Sequence, residues 1–297
     1  MLSITTDYVH DTGCPEPYLR DIADAGFTHV HWCHHWNTDF LYSDSEIDQI
    51  SVWLATYGLR VLDIHASHGR EKAWASPYEY ARLAGIELVK NRIAMAAALD
   101  SNVIILHLPP AIEPGMEIAA AAGSAYADDS RSGARSATKS ADPWLTQVCR
   151  SLDALAPFAR ELGVRIALEN MGYDDFTRLR QLFSLYGSEF LGLCYDAGHG
   201  NLDGQGLTHL EHLKGRLISV HLHDNDGSGD QHKPVFSGTI DWGRLARIIA
   251  ASAYKKCVSM EVSIHSSGFE DERAFLEHVY ETGMKLSGMV EAAPSHG

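Results

Sequence analysis

The sequence predicts an α/β protein folded as one (β/α)8 TIM barrel, and three observations carry that prediction. Short β-rich runs alternate with longer amphipathic segments along the whole chain, the pattern of parallel strands joined by helical crossovers. Eight segments of each kind can be counted, and 297 residues are about what one large barrel domain uses. Several of the β-rich runs are almost continuously apolar, as strands buried on both faces should be.

The expected strands, in order, are Leu2 to Thr6, Phe27 to Trp32, Arg60 to His65, Asn102 to His107, Val164 to Glu169, Phe190 to Asp196, Leu217 to His221 and Cys257 to Glu261. Gly26, Gly58 and Gly163 each precede a strand, where a residue able to take positive φ is useful. The clearest helix begins at Asp142 as N-cap with Pro143 in the first turn, and stops at Gly163. Within it Leu145, Val148, Leu152, Leu155 and Leu162 form an apolar stripe, and Pro157 is expected to kink it. Residues 111 to 141 break the rhythm: rich in Ala, Ser and Gly, they read as an insertion after the fourth strand, on the C-terminal rim. No linker divides the chain, so residues 1 to 297 are expected to form a single domain.

Composition narrows the function classes. Lys and Arg number 24 against 39 Asp and Glu, a net charge of -15 that disfavours a polyanionic partner, so nucleic acid is not expected. The five cysteines, at 14, 33, 149, 194 and 257, form no CxxC pair, which fits a reducing cytoplasm rather than a disulfide framework. No apolar run is long enough to span a bilayer, and the N-terminus reads as strand rather than signal peptide, so a soluble, unprocessed protein is expected.

Active sites of such barrels form where the strands end at the C-terminal face. Here six consecutive strands close on a potential ligand: His65, His107, Glu169, Asp196, His221 and Glu261. His199 follows Asp196 by three residues, and Asp230 and His232 follow the seventh strand. Any one of these histidines, taken singly, reads as a hydrogen-bonded core residue. Six carboxylates and imidazoles converging on one mouth need compensation, and a divalent metal supplies it. Mixed carboxylate and imidazole ligation points to Mn, Co, Fe or Zn rather than calcium, and no organic cofactor is expected. His29, His31, His34, His35, His209 and His212 lack such placement and read as structural or surface residues, although His31 and Trp32 close the second strand near the pocket.

ALEN around Glu169, YDAGH from Tyr195 to His199, VHLHD from Val220 to Asp224 and the DxHxP…GxIDW run from Asp230 to Trp242 together resemble the xylose isomerase-like barrels. That group contains sugar-phosphate isomerases and epimerases and the apurinic endonucleases of the endonuclease IV type. The resemblance runs from about Phe27 through Glu261. It implies that Glu169, Asp196, His221 and Glu261 hold one divalent metal. It further implies that His65, His107, His199, Asp230 and His232 either hold additional metal ions or orient that first set.

For the isomerase and epimerase branch, the implied reaction is proton transfer next to the carbonyl of a sugar, sugar phosphate or keto-polyol, through a metal-stabilised enediolate. Glu169 and Glu261 then remove and return the proton from opposite faces. The first alternative is a multinuclear metal-dependent hydrolase or phosphodiesterase of the endonuclease IV type, in which all nine residues bind metal. A keto-sugar lyase on the same site is another, and a barrel that binds a sugar without chemistry is the non-enzymatic one. Trp32, Trp36 and Trp242 are candidates to stack on a sugar. Lys233, with Arg131, Arg135 and Lys139 of the insertion, is a candidate for a phosphate or carboxylate, and the insertion for a lid or a homo-oligomer contact.

Overall fold

The computed structural model describes residues 1–11, 13–109, 142–172 and 176–294. The expected insertion at 111–141, with Arg131, Arg135 and Lys139, lies outside the described residues.

Eight parallel strands form one sheet: β1 Ser3–Thr5, β2 His29–Trp32, β3 Arg60–His65, β4 Val103–His107, β5 Arg165–Glu169, β6 Leu191–Asp196, β7 Leu217–His221 and β8 Ser259–Met260. Their order is β7-β6-β5-β4-β3-β2-β1-β8, and a parallel bridge between Leu222 and Met260 links the two ends, so the sheet closes on itself. The described helices are α1 Glu16–Asp24, α2 Asp44–Tyr57, α3 Glu79–Ala98, α4 Pro143–Glu161, α5 Thr177–Leu185, α6 Ala197–Asp203, α7 Gly206–Leu213, α8 Trp242–Ala250 and α9 Glu272–Ala292. The crossover from β6 to β7 is therefore two short helices, not one; Gly204, at φ 70, ends the first of them.

Local chemistry explains the boundaries. Asp142 caps α4 by accepting from the Trp144 amide, and Ser43 with Glu46 forms a capping box on α2. Gly26, Gly58 and Gly163 all take positive φ, the last at 67° just past α4. Helix α4 runs on through Pro157, with Val148, Leu152 and Leu155 buried against the sheet. Leu162 was expected in that stripe, but it is 37% exposed, because it is the C-cap residue where the chain already turns away.

Two features of the sheet position the site. The β4–β5 register sets His107 beside Glu169, and the β6–β7 register sets Asp196 beside His221, so residues from four strands reach one level. Below them, Val103, Ile105, Ala167, Cys194 and Ile218 pack as a small apolar cluster; Val103, Ile105 and Ala167 lie on the same strand faces as His107 and Glu169. The opposite half of the barrel interior is polar, with His31, Asp63 and Ser219 buried together. Among the described residues, no helix is long and apolar enough to cross a membrane.

Candidate metal and active site

The strand ends bring Glu169, Asp196, His221 and Glu261 to one mouth. Glu169 closes β5, Asp196 closes β6 and His221 closes β7. Glu261 lies one residue beyond β8, held there by its amide, which donates to the Leu222 carbonyl at 3.1 Å. His221 Nδ1 stands between the two glutamates, 3.3 Å from Glu169 Oε2 and 3.1 Å from Glu261 Oε2.

Glu169 is the hub. It is 1% exposed, with His107 Nε2 at 3.4 Å and His65 Nε2 at 3.9 Å from one oxygen and His199 Nδ1 at 3.5 Å from the other. Burial by itself would raise its carboxyl, but the positive field of His221 and His107 and hydrogen bonding to His107 and His199 hold it well below the usual range. His221 is the converse: burial opposes its charged form, and Cys194, Glu261 and Glu169 outweigh that and lift it well above the ordinary histidine value.

Two groups of the additional candidates flank this centre. His65 and His107 face one another across β3 and β4, Nε2 to Nε2, at 3.0 Å. With Glu169 they form a set whose ligand atoms all lie within 4.8 Å. On the other side Asp230 Oδ2 lies 3.2 Å from His199 Nε2 and 3.1 Å from His232 Nε2. Burial opposes the charged His232 ring, but Asp230 pulls its pKa up to about 9. His232 Nδ1 donates to the Glu261 carbonyl at 2.9 Å, which ties this loop to the end of β8.

The structure also brings in residues outside the nine candidates. His31 is fully buried, bonded through Nδ1 to Asp63 at 2.6 Å, with its ring 4.3 Å from that of His221. His223 is fully buried, 3.1 Å from both oxygens of Asp196, and stacked on His232 at 4.0 Å. Asn170 accepts from the Asp196 amide and donates to its carbonyl, fixing that strand end. A signal for two of these was present: counting by two along a strand leads from His65 to Asp63 and from His221 to His223.

Trp32 and Lys233 do not join the site. Trp32 alternates with His31, so its indole is directed the other way, where it donates to the Tyr42 hydroxyl at 3.1 Å and is fully buried. Lys233 Nζ lies 3.5 Å from Asp226 and is not among the cavity residues. Trp242 is core, its indole donating to Asp224 at 2.7 Å. Trp36 does line the cavity, its ring 4.8 Å from His65 and 5.3 Å from His107.

The cavity at the mouth is about 360 Å³ and includes His65, His107, Glu169, His199, Asp230, His232 and Glu261 in its lining. A larger one, about 820 Å³, lies at the opposite end of the barrel, around Arg60, Asn102 and Lys256, and contains none of these residues.

Do these residues suit a divalent cation? Glu169 Oε2 and both nitrogens of His221 are buried and make no well-angled hydrogen bond, and His221 Nδ1 lies within ion-pair reach of Glu169 Oε2. Such atoms are costly to bury unless something else satisfies them. Two ligand atoms about 2.0–2.1 Å from a tetrahedral ion stand about 3.4 Å apart. The 3.1 Å and 3.3 Å separations around His221 Nδ1 are close to that spacing, so Glu169, His221 and Glu261 fit.

Comparison with known proteins adds the following. The family model described as "Xylose isomerase-like TIM barrel" matches residues 19–281. The uncharacterized protein y4fM of Sinorhizobium fredii is 30% identical over 295 residues, which cover 92% of this chain and 88% of that one. Among solved structures, a D-tagatose 3-epimerase-like protein superposes with a TM-score of 0.71 at 19% identity, covering 98% of this chain and 99% of its own. An IolI protein solved with a bound zinc atom gives a TM-score of 0.69 at 15% identity, covering 99% of each chain. At such identities the two structural likenesses show the fold.

Proposed function

This chain belongs to the xylose isomerase-like TIM barrel family, and from that premise we propose that it is a divalent-metal-dependent sugar isomerase or epimerase. The observation that carries the reading is the pair of carboxylates, Glu169 and Glu261, that flank His221 Nδ1 at 3.3 Å and 3.1 Å from two sides of the mouth. Structural neighbours described as a D-tagatose 3-epimerase-like protein and a D-psicose 3-epimerase support the same class.

Glu169, Asp196, His221 and Glu261 would hold the cation: Mn, Co, Fe or Zn. Bound there, it supplies positive charge against the negative charge that develops on substrate oxygens when a proton leaves the neighbouring carbon. The chain's own residues do the rest. A substrate carbon seated between Glu169 and Glu261 meets one carboxylate on each face, so one accepts the proton and the other returns it. His199 and His232, each held at both ring nitrogens and both bonded to Asp230 through Nε2, form a fixed polar wall of the cavity on that side. Trp36 offers an apolar ring against the carbon backbone. All five cysteines are free, in keeping with a cytoplasmic setting.

The test is exchange of a carbon-bound proton with deuterated solvent, followed across a panel of ketoses with the metal-loaded enzyme. A converted ketose should gain one deuterium at the reacting carbon, and Glu261→Gln should lower turnover about 10²–10⁴-fold while the protein stays folded. Conversion without exchange refutes proton transfer.

One observation favours a second reading, a multinuclear hydrolase. The His65, His107 and Glu169 set and the His199, Asp230 and His232 set each offer ligands beyond one cation. Two or three metals per chain, with cleavage of a phosphodiester and inertness to every ketose, would establish that reading in place of the first.

A further inference from the structure

We propose a second cation site on the β2 side of the mouth, formed by His31 Nε2, Cys33 Sγ and Glu261 Oε1, that takes a borderline-soft divalent ion such as zinc or cobalt(II). His31 is fully buried, and its Nδ1 is held by Asp63 Oδ1 at 2.6 Å. Asp63 is fixed in turn by the Ser219 hydroxyl. An Nδ1–H given to Asp63 leaves the Nε2 lone pair pointing the other way. That atom is buried and has no hydrogen-bond partner. A histidine held by a carboxylate at one ring nitrogen, with the other nitrogen open, is the arrangement that metal-ligating histidines show.

One of the groups on the Nε2 side is an acceptor, the Glu261 carboxylate. Glu261 Oε1 stands 3.8 Å away, too long for a hydrogen bond, and a lone pair opposite a carboxylate is repelled unless a positive charge lies between them. The separation is within about half an ångström of the ~3.4 Å expected for two ligands of one tetrahedral ion. Cys33 comes from the residue after β2, is 3% exposed, and places its sulfur so that all three ligand atoms lie within 4.8 Å of one another. Cys33 and Glu261 both line the cavity, which gives an ion its way in. A nitrogen, sulfur and oxygen set with a fourth position left to water suits zinc, cobalt(II) or iron(II), and discriminates against magnesium and calcium.

The site shares Glu261 with the proposed proton-transfer centre and rests on that reading to this extent: Glu261 Oε2 faces His221 on one side and Oε1 faces His31 on the other. A merely structural His31–Asp63 pair would bind nothing, so the thiolate decides the matter. Cobalt(II) titrated into the metal-free full-length protein should give a near-ultraviolet thiolate-to-cobalt charge-transfer band. Cys33→Ser should abolish the band and remove one cobalt per chain, His31→Ala should do the same, and Cys194→Ser should leave the band in place. Should His31→Ala fail to fold, Cys33→Ser and Cys194→Ser suffice. Cobalt bound without that band, or a band that survives Cys33→Ser, overturns the second site and leaves the first standing. No bound cobalt at all overturns both.

Discussion

Gly198 is predicted to be a position where a single methyl group unseats part of the site. It is the second residue of α6, buried, and its carbonyl accepts from Asn225 Nδ2 at 2.9 Å, so the helix start cannot easily retreat. An ideal Cβ on Gly198 would lie 2.5 Å from His223 Nδ1 and 2.6 Å from His223 Nε2, whereas ordinary van der Waals contact begins near 3.4 Å. Cε1, between those two nitrogens, is nearer still, so the His223 ring must retreat by about 1.5 Å. It is already stacked on His232 at 4.0 Å, and its Nε2 lies 3.1 Å from both Asp196 oxygens, a distance that opens to about 4.6 Å if the ring retreats along that line. Overpacking costs about 1–3 kcal/mol. Losing a hydrogen bond to a buried carboxylate adds about 1.5–3 kcal/mol. Gly198→Ala should thus destabilise the metal-free protein by about 3–5 kcal/mol, moving the urea midpoint down by roughly 1 M. Gly215→Ala is the control: nothing lies within 4 Å of its Cβ position, and its effect should stay within about 0.5 kcal/mol. Equal midpoints for the two variants would refute the argument that α6 is seated directly on the His223 ring.

Two further outcomes are expected. Chelation should lower the melting temperature, because a cation that binds only the folded chain adds about 2.7 kcal/mol at a hundred times its Kd; an unchanged melt after verified metal removal would contradict a site at the barrel mouth. The metal-free protein should also lose stability as pH falls. His34 and His68 are each pushed down to about 4, by burial first and then by neighbouring His35 and His107 respectively. Unfolded, both titrate near 6.5, so below that value the unfolded chain binds more protons than the folded one. Their contribution is complete above about pH 6.5 and drains away towards pH 4, on the order of 2 kcal/mol each. Urea midpoints at pH 7 and 4.5 should differ less in His68→Gln than in the wild type, and an identical difference would remove His68 from the account.

The barrel itself was legible because its signals are local. Alternating apolar runs, the Asp142 cap and the glycines at 26, 58 and 163 act within a few residues, and all appear where the sequence places them. Glu169, Asp196 and His221 likewise close their strands, and parallel strands share one end. Glu261 arrives by a different route. Its strand stops at Met260, and a bridge with Leu222 carries it to the mouth.

Local sequence signals were thus enough for the fold and for the residue types at its open end. The tertiary structure decided which of them touch. Trp32 and His31 are neighbours in the chain, yet one is bonded to Tyr42 and the other lies against His221, because adjacent strand residues take opposite faces. The layer of the barrel that an inward residue reaches depends on the stagger between strands. Here that stagger shifts at Val30/His31 and at Leu193/Cys194, where pairing between distant segments slips by a residue. No window of sequence contains both sides of such a slip. For that reason the approach of His31 to Glu261, and of His223 to Asp196, became visible only once the sheet had closed.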